Sequence, residues 1–205
     1  MGHKFAEIAF TNSVKLVQES QGSRDGYASW DQGVDVNRQM GDREIDFISE
    51  RDSFYLASVS ETGWPYVQHR GGPAGFVRVL DNQTIGYSDF AGNRQYVSFG
   101  NVCNNDRVSL IFMDYRNRQR LKVLGRIRLI AEGDSELLDQ LRVQDYRVRI
   151  ERSFQIAIEA FDWNCPKYIT KRYTEFEMTQ LTNDLKDENA ALRNKYQVDA
   201  AREQL

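Results

Sequence analysis

The chain has 205 residues, a formal net charge of −3 and a hydrophobic content of 40%. This length suffices for one substantial domain with a core of its own. The slightly acidic balance argues against general nucleic-acid binding, which needs an excess of basic residues. No stretch approaches the roughly 20 consecutive apolar residues of a membrane-spanning helix, so no membrane segment is predicted.

The first residues and the cysteines indicate the compartment. Residues 1–8 are too polar for a secretory leader, and only Cys103 and Cys165 carry thiols. We therefore expect a cytoplasmic protein with both thiols reduced. Two cysteines and two histidines at no recognisable ligand spacing predict no metal site.

Residues 1–45 are predicted to form an amino-terminal arm of helix and loop. Asn12 or Ser13 is suited to cap a short helix that ends before Gly22. Residues 22–41 hold four glycines and many polar groups, which predicts a loop over the body. Asp42 is suited to cap a second helix that runs to about residue 51.

The central segment, residues 46–173, contains many short apolar runs separated by turns. Strands are predicted over residues 54–60, 64–70, 76–80, 84–87, 108–114, 121–130 and 154–160. Short helices are predicted over residues 94–99 and after Asp134. Strands joined by tight turns, with few inserted helices, predict a mostly β protein built as an antiparallel barrel.

Residues 174–205 differ from the rest and predict an amphipathic helix. Leu181, Leu185, Leu192 and Tyr196 fall at spacings of four, seven and four residues. This helix either packs on its own barrel or meets its copy in a second subunit.

The run from Arg116 to Arg128 is rich in basic residues and contains no acid. Period two places its basic residues on one strand face and its apolar residues on the other. The basic residues are Arg116, Arg118, Arg120, Lys122, Arg126 and Arg128. This face either binds an anionic ligand or is solvent-facing, with its cations paired to carboxylates elsewhere.

The sequence Gly92-Asn93-Arg94-Gln95 is a second candidate anion site. A glycine before a helix start lets backbone N–H groups face an anion, and the guanidinium of Arg94 matches phosphate oxygens. The alternative is an ordinary helix cap by Asn93 beside a solvated arginine. Because consecutive antiparallel strands are neighbours, we expect this turn, the basic strand and the strand ending at Gly71-Gly72 to converge. Together they predict a site for a small phosphorylated ligand.

Four ordered stretches resemble proteins related to pyridoxamine 5'-phosphate oxidase. They are WPYVQHRGGP at residues 64–73, GNRQ at residues 92–95, RLKVLGR at residues 120–126 and NCPKYI at residues 164–169. The resemblance covers roughly residues 10–175. It implies a split β-barrel homodimer with one flavin mononucleotide (FMN) at each of two sites between the subunits.

The resemblance also implies a set of cofactor-binding residues. Asn93, Arg94 and Gln95 fall where the family holds the flavin phosphate. Arg120 and Lys122 fall where side chains reach the polar edge of the ring or the phosphate. Gln68, His69, Arg70 and Gly71 correspond to the strand beside the ring. Ser88 and Asp89 correspond to residues near the ribityl chain. Asn164, Cys165 and Lys167 correspond to residues contributed by the other subunit.

Two departures limit what the resemblance implies. Gln95 stands where the oxidase itself tends to have lysine, and the oxidase's own carboxyl-terminal substrate-binding pattern is not evident. Flavin binding is therefore expected, whereas oxidation of pyridoxamine phosphate is not.

Three functions stay open at this point. The leading hypothesis is an FMN-dependent oxidoreductase acting on a small molecule, and the alternative is a flavin-binding protein that stores or senses the cofactor without turnover. A relative that uses deazaflavin or haem is the third. His69 is a candidate acid or base, and Cys165 is a candidate nucleophile. For both residues the alternative is a packed or solvent-facing role, so no catalytic residue is assigned.

Overall fold

The computed structural model describes residues 3–31, 36–163 and 165–202. The chain divides into two compact units. One unit comprises the residues up to 114 together with 119–166, and the other comprises 115–118 and the residues from 167 onward. Within the described ranges, no helix combines the length and the apolar character needed to cross a membrane.

The larger unit is built on one antiparallel sheet with the strand order β2-β1-β5-β6-β7-β4-β3. The strands are β1 (Ser53–Val59), β2 (Pro65–Gly71), β3 (Val77–Asp81), β4 (Thr84–Phe90), β5 (Arg107–Asp114), β6 (Gln119–Leu129) and β7 (Ile150–Trp163). All seven lie near predicted strands. The prediction for β7 began four residues too late, and this omission affects the site described below.

The core lies on the inner face of the curled sheet. Alternate residues of each strand point inward, so directly paired residues such as Phe54 and Phe112 share this face. Both are fully buried, and their ring centroids are 5.2 Å apart. Burial of apolar side chains stabilises the fold by about 25 cal/mol per Å² removed from water.

The curled sheet brings one of its edges back toward β4. Phe54 of β1 contacts the ring of Tyr87 on β4 at 5.2 Å, and Arg70 of β2 forms an ion pair with Asp89 of β4. These strands are not neighbours in the hydrogen-bonded order, so the contacts close the barrel across an open seam. The predicted mostly β, antiparallel split barrel with added helices is confirmed.

Irregularities in pairing shape β7. Asp89 pairs with Arg152, whereas the next residue, Phe90, pairs with Ile150, so Glu151 is an extra residue on β7. A second shift lies between Leu124 and Gly125 of β6. Such bulges bend a strand and redirect its side chains.

Seven α-helices accompany the strands in the described part of the chain. They are α1 (Lys4–Ala9), α2 (Asn12–Ser20), α3 (Arg24–Tyr27), α4 (Asp42–Ser49), α5 (Val97–Asn104), α6 (Ser135–Gln140) and α7 (Glu175–Arg202). The hydroxyl of Thr11 accepts a hydrogen bond from the backbone of Val14 and caps α2. At α4, the side chain of Glu44 accepts a hydrogen bond from the backbone N–H of Gly41 at 3.0 Å.

The helix caps were predicted at Asn12 or Ser13 and at Asp42, but they lie at Thr11 and Gly41. Two further local predictions were wrong. Residues 22–41 are not a continuous loop, because α3 and a 3₁₀ turn over Ala28–Asp31 form there, with Trp30 stacked on His3. The helix predicted over residues 94–99 begins only at Val97. Arg94 and Tyr96 both have positive φ, which ordinary side chains adopt at a steric cost and which keeps this stretch out of the helix.

Two of the four cations on the basic strand β6 are paired with carboxylates. Arg116 and Arg118 precede β6, which begins at Gln119. Arg126 pairs with Asp106 at 2.9 Å and with Glu159 at 3.0 Å. Lys122 pairs with Asp162 at 3.1 Å. The carboxylate-paired alternative therefore describes Lys122 and Arg126, whose acids come from neighbouring strands and loops. Arg120 and Arg128 have no carboxylate partner among the described residues.

In the smaller unit, Thr174 and Glu177 exchange hydrogen bonds at the start of α7. Contact with the Thr174 backbone N–H lowers the pKa of the Glu177 carboxyl. The apolar side chains predicted to form a seam include Leu185 and Leu192, and both are exposed. The side chain of Tyr196 lies outside the described residues.

Candidate functional site

A cavity of about 280 Å³ opens at one end of the barrel, where β2 approaches β4. We call it the first cavity. Its walls come from β2, β4, the turn after β4, the start of α5 and the start of β7. The lining residues are Gln68, His69, Arg70, Gly71, Phe76, Tyr87, Ser88, Asp89, Phe90, Gly92, Asn93, Arg94, Tyr96, Phe99, Glu151 and Arg152.

Strand β2 contributes two polar side chains from its inner face. Gln68 is paired with the buried Leu56 and Arg70 with the buried Phe54, so both point toward the barrel interior. Gln68 accepts a hydrogen bond of 2.8 Å from the hydroxyl of Ser98, which fixes β2 against α5. His69 lies on the opposite face and is exposed.

Four charged side chains form a chain across the cavity floor. Asp89 accepts a hydrogen bond from Arg70, and its second oxygen lies 3.7 Å from the guanidinium of Arg152. Arg152 in turn contacts Glu151 at 2.9 Å. Two guanidinium groups thus balance two carboxylates in a part of the protein that excludes most water. Burial raises the pKa of the Asp89 carboxyl, and the positive charges of Arg70 and Arg152 oppose this shift.

The bulge in β7 explains why both Glu151 and Arg152 reach the same cavity. In a regular strand, consecutive side chains point to opposite faces. Because Glu151 is the extra residue opposite β4, the alternation is broken at this point. The guanidinium of Arg152 is also held over the rings of Tyr96 and Phe99, at 4.6 and 4.5 Å.

The turn after β4 carries the exposed cation of the site. Nε of Arg94 donates a hydrogen bond of 3.0 Å to the hydroxyl of Tyr96, which donates to Glu151 at 3.1 Å. Asn93 accepts a hydrogen bond from the backbone N–H of Gln95 and tightens the turn. Bonding to Tyr96 raises the pKa of Arg94, so its charge is permanent. The guanidinium of Arg94 is therefore oriented at the cavity rim.

Tyr87 forms the inner wall. Its ring is packed between Phe54 and Phe154, and its hydroxyl is buried without a hydrogen-bond partner among the described residues. Burial raises the pKa of the Tyr87 phenol, which stays protonated. Nε of Arg70 is likewise buried without a partner in the described structure. Unsatisfied donors beside a cavity are unusual in folded proteins and often mark function.

Eight of the residues predicted for the site line the first cavity. They are Gln68, His69, Arg70, Gly71, Ser88, Asp89, Asn93 and Arg94. The hydroxyl of Ser88 faces away from the opening, since it bonds to the carbonyl of Leu141 and to Ser153, both at 3.1 Å. Gln95 is exposed in the adjoining turn and does not line the wall.

The remaining predicted residues lie elsewhere. Arg120 and Lys122 alternate with the buried Leu121, and so lie on the outer face of the sheet. Lys122 is near the Phe5 ring as well as Asp162. Cys165 is exposed beyond β7, and Lys167 belongs to the smaller unit. Asn164 lies outside the described residues.

Sequence reasoning missed Glu151, Arg152 and Tyr96. The first two precede the apolar alternation that predicted β7 from residue 154, and the bulge removes the periodicity that would have revealed them. Tyr96 directly follows the GNRQ stretch and could have been included as a neighbour of Arg94 on that ground alone.

This arrangement suits a phosphorylated or otherwise anionic ligand with several hydrogen-bonding groups. It supplies one exposed guanidinium, buried donors and aromatic walls. In the described part of the chain, no cluster of three or more histidine, cysteine or acidic side chains is arranged to hold a metal ion.

One solved structure reaches a TM-score of 0.50 and shows the same fold, and two others are similar at lower TM-scores. HupZ of Group A Streptococcus has a TM-score of 0.50 and 16% identity, over 65% of this chain and 100% of its own. A candidate pyridoxamine 5'-phosphate oxidase of Lactobacillus delbrueckii has 17% identity and a TM-score of 0.47, over 61% of this chain and 94% of its own. A FAD-binding protein of Mesorhizobium loti has 16% identity and a TM-score of 0.44, over 62% of this chain and 95% of its own.

Sequence comparison identifies the family. No curated protein matches the chain significantly. The model of the pyridoxamine 5'-phosphate oxidase family matches residues 41–164, which is more than half of the chain and includes every strand of the sheet. The chain therefore belongs to the pyridoxamine 5'-phosphate oxidase family.

Proposed function

We propose that this protein binds FMN in the first cavity and acts as an oxidoreductase on a small molecule. The observation that carries the proposal is the oriented guanidinium of Arg94 at the rim of a cavity in a member of this family. Arginine suits phosphate because its planar fork donates two parallel hydrogen bonds. We assign the flavin phosphate to Arg94 and Asn93.

The interior of the cavity fits the remainder of such a ligand. Tyr87 and Nε of Arg70 are buried donors without acceptors among the described residues, and small shifts would let them meet oxygens of a bound molecule. Phe76, Phe90 and Phe99 supply apolar walls for a flat ring. When bound, FMN supplies hydride and electron transfer, and this chain supplies binding, orientation and electrostatic tuning.

The volume of the cavity indicates that one chain forms only part of the site. At about 280 Å³ it lies just below the roughly 300–1,000 Å³ of ordinary ligand pockets. We therefore propose that a second copy of the chain completes it as a homodimer. The outer face of β1, β2 and β5 supports this, since register places Tyr55, Val67 and Ile111 there with large exposed areas.

His69 links this outer face to the first cavity, because it is exposed on that face and also lines the opening. Arg120 lies two strands from β1 on the same face, and its Nε is buried without a partner in the described structure. In the proposed dimer, Arg120 of the second copy approaches the first cavity and adds a cation to the flavin site.

The first test is the absorbance spectrum of the purified protein, followed by titration with FMN. We expect a flavin spectrum, and we expect Arg94→Ala to weaken FMN binding about 10- to 100-fold because a charge-assisted hydrogen bond is lost. Arg142→Ala is the matched control, since Arg142 is an exposed arginine that does not line the cavity. Equal affinity in both variants would show that the phosphate is held elsewhere.

A non-catalytic storage or sensor protein is the second candidate. It is favoured by the cavity floor, where Asp89 and Glu151 are already engaged by arginines and leave no acid–base pair unoccupied among the described lining residues. Rapid mixing of the reduced, FMN-loaded protein with candidate acceptors separates the two functions. Turnover faster than that of free reduced FMN supports the oxidoreductase, and an equal or slower rate supports storage.

A further inference from the structure

A second cavity of about 360 Å³ lies beside the first and shares a wall with it. It is formed by the end of β6, the segment leading to α6 and the start of β7. Phe99, Glu151 and Arg152 line both cavities. Its volume falls within the range of small-molecule sites.

The second cavity is mainly apolar, in contrast to the first. Leu129 and Ile150 line it and are 46% and 40% exposed, although both are large aliphatic side chains. Ile130 and Leu138 complete the apolar wall. A concave apolar surface with a few polar groups is the usual form of a ligand site, and covering these side chains would remove apolar area from water.

The charges of the second cavity favour a cation. Glu132 lines it as an exposed side chain, and its carboxylate has no ion pair or hydrogen bond among the described residues. Arg152 is its cation, but this guanidinium is engaged by Glu151 and Asp89 and held over two aromatic rings. An anionic ligand would therefore be repelled by the carboxylate of Glu132, while the guanidinium of Arg152 is already engaged. An ammonium group, in contrast, could pair with Glu132.

We propose that the second cavity binds a small molecule with an apolar body and an ammonium group, of the aryl-alkylamine class. The apolar body rests against Leu129 and Ile150, and the ammonium group faces Glu132. This inference does not depend on flavin binding in the first cavity, because it rests on Leu129, Ile150 and Glu132, which line the second cavity and not the first.

The probe is 2-phenylethylammonium, compared with phenylacetate and with the neutral 2-phenylethanol by ligand-observed NMR titration of the full chain. We expect saturable binding of the amine, about 10-fold tighter than that of phenylacetate. Glu132→Gln should weaken amine binding about 2- to 5-fold, as for a solvent-exposed ion pair, and leave phenylethanol binding unchanged.

Leu129→Trp fills the second cavity and should reduce amine binding at least about 10-fold, because the apolar body is displaced. Leu16→Trp places the same side chain on exposed α2 and should leave binding unchanged. If Leu129→Trp does not fold, Ile150→Asn tests the same wall and should also weaken binding. Equal affinity for amine and phenylacetate, or undiminished binding in a folded wall variant, would overturn the proposal.

Discussion

Two carboxylates, the buried Asp89 and the partly buried Glu151, set the electrostatics of the first cavity. Each is held by at least one guanidinium, and removing either would leave a buried positive charge uncompensated. Because these charges cancel, Arg94 at the rim is the cation available to a ligand. The affinity for a phosphate should therefore depend on Arg94 more than on the two buried arginines.

His3 contacts Asp162, at the opposite end of β7 from this chemistry, and gives a prediction about pH. Its ring is stacked on Trp30 with centroids 4.5 Å apart, and its Nε2 lies 3.6 Å from Asp162. Burial lowers the pKa of His3, although the carboxylate of Asp162 opposes this shift. The native state then binds fewer protons than the unfolded chain, so the stability that neutral His3 contributes is complete above pH about 6.5 and is lost as the pH falls through the lowered pKa.

Urea unfolding at pH 7.5 and pH 5 tests this prediction. The free energy of unfolding of the wild type should fall more between these two pH values than that of His3→Gln. His69→Gln is the control, because His69 is the only other histidine and is exposed. Equal losses in the wild type and His3→Gln would contradict the prediction.

At the scale of elements, the close pairing of β6 with β7 predicts a strong effect at one glycine. A Cβ at Gly125 would lie 2.7 Å from the carbonyl oxygen of Ala157 and 2.7 Å from Ile156. Because the carbonyl belongs to the backbone of the paired strand, it cannot move without disturbing the sheet. We expect Gly125→Ala to destabilise the fold by about 1–3 kcal/mol in denaturant unfolding.

Gly100→Ala is the matched control for this substitution. Gly100 lies in α5 with nothing within 4 Å of the added Cβ. Alanine favours helix there by about 0.5–1 kcal/mol, so this variant should be slightly more stable than the wild type. A neutral Gly125→Ala would mean that β6 and β7 separate at the bulge more easily than their contacts indicate.

The same elements show what could be predicted from sequence. Apolar alternation and turn residues located all seven strands, because a half-buried strand imposes period two on its own sequence. The charge partners of β6 could not be predicted, because Asp106, Glu159 and Asp162 approach it only after folding. The helix predicted from Arg94 was wrong for a local reason. The positive φ values of this turn fall on Arg94 and Tyr96 rather than on a glycine, so the sequence does not mark them.

Only part of the candidate site could be predicted, and the reasons are similar. The GNRQ stretch and the end of β2 carry a recognisable residue pattern, and they do meet at the first cavity. Glu151 and Arg152 join them only because of the bulge in β7, which no periodicity reveals. The assignment of the predicted residues to a flavin remains a prediction.

At the scale of the whole molecule, the proposed dimer makes a prediction about assembly. Ile111 lies on the outer face of β5, paired with Tyr55 of β1. A glutamate at this position would place a charge within the proposed interface, where burying it without a partner is costly. Ile111→Glu should therefore sediment as a monomer and lose FMN affinity at the same time.

Leu185→Glu is the control for this test. Leu185 is exposed on α7, in the smaller unit, and is not part of the proposed interface. This variant should keep the mass and the FMN affinity of the wild type. A dimeric Ile111→Glu variant with normal affinity would place the interface on another surface, and a monomeric one with normal affinity would show that a single chain suffices for the flavin.

The extra residue in β7 has a consequence for how this barrel could change over generations. Removing the single codon for Glu151 would restore regular alternation opposite β4 and withdraw a carboxylate from both cavities in one event. Arg152 would lose one counter-charge, and the hydroxyl of Tyr96, which accepts from Arg94, would lose its own acceptor. A family member that lacks this residue would need a different set of charges in its cavities. We therefore expect relatives with and without the extra residue in β7 to bind different molecules.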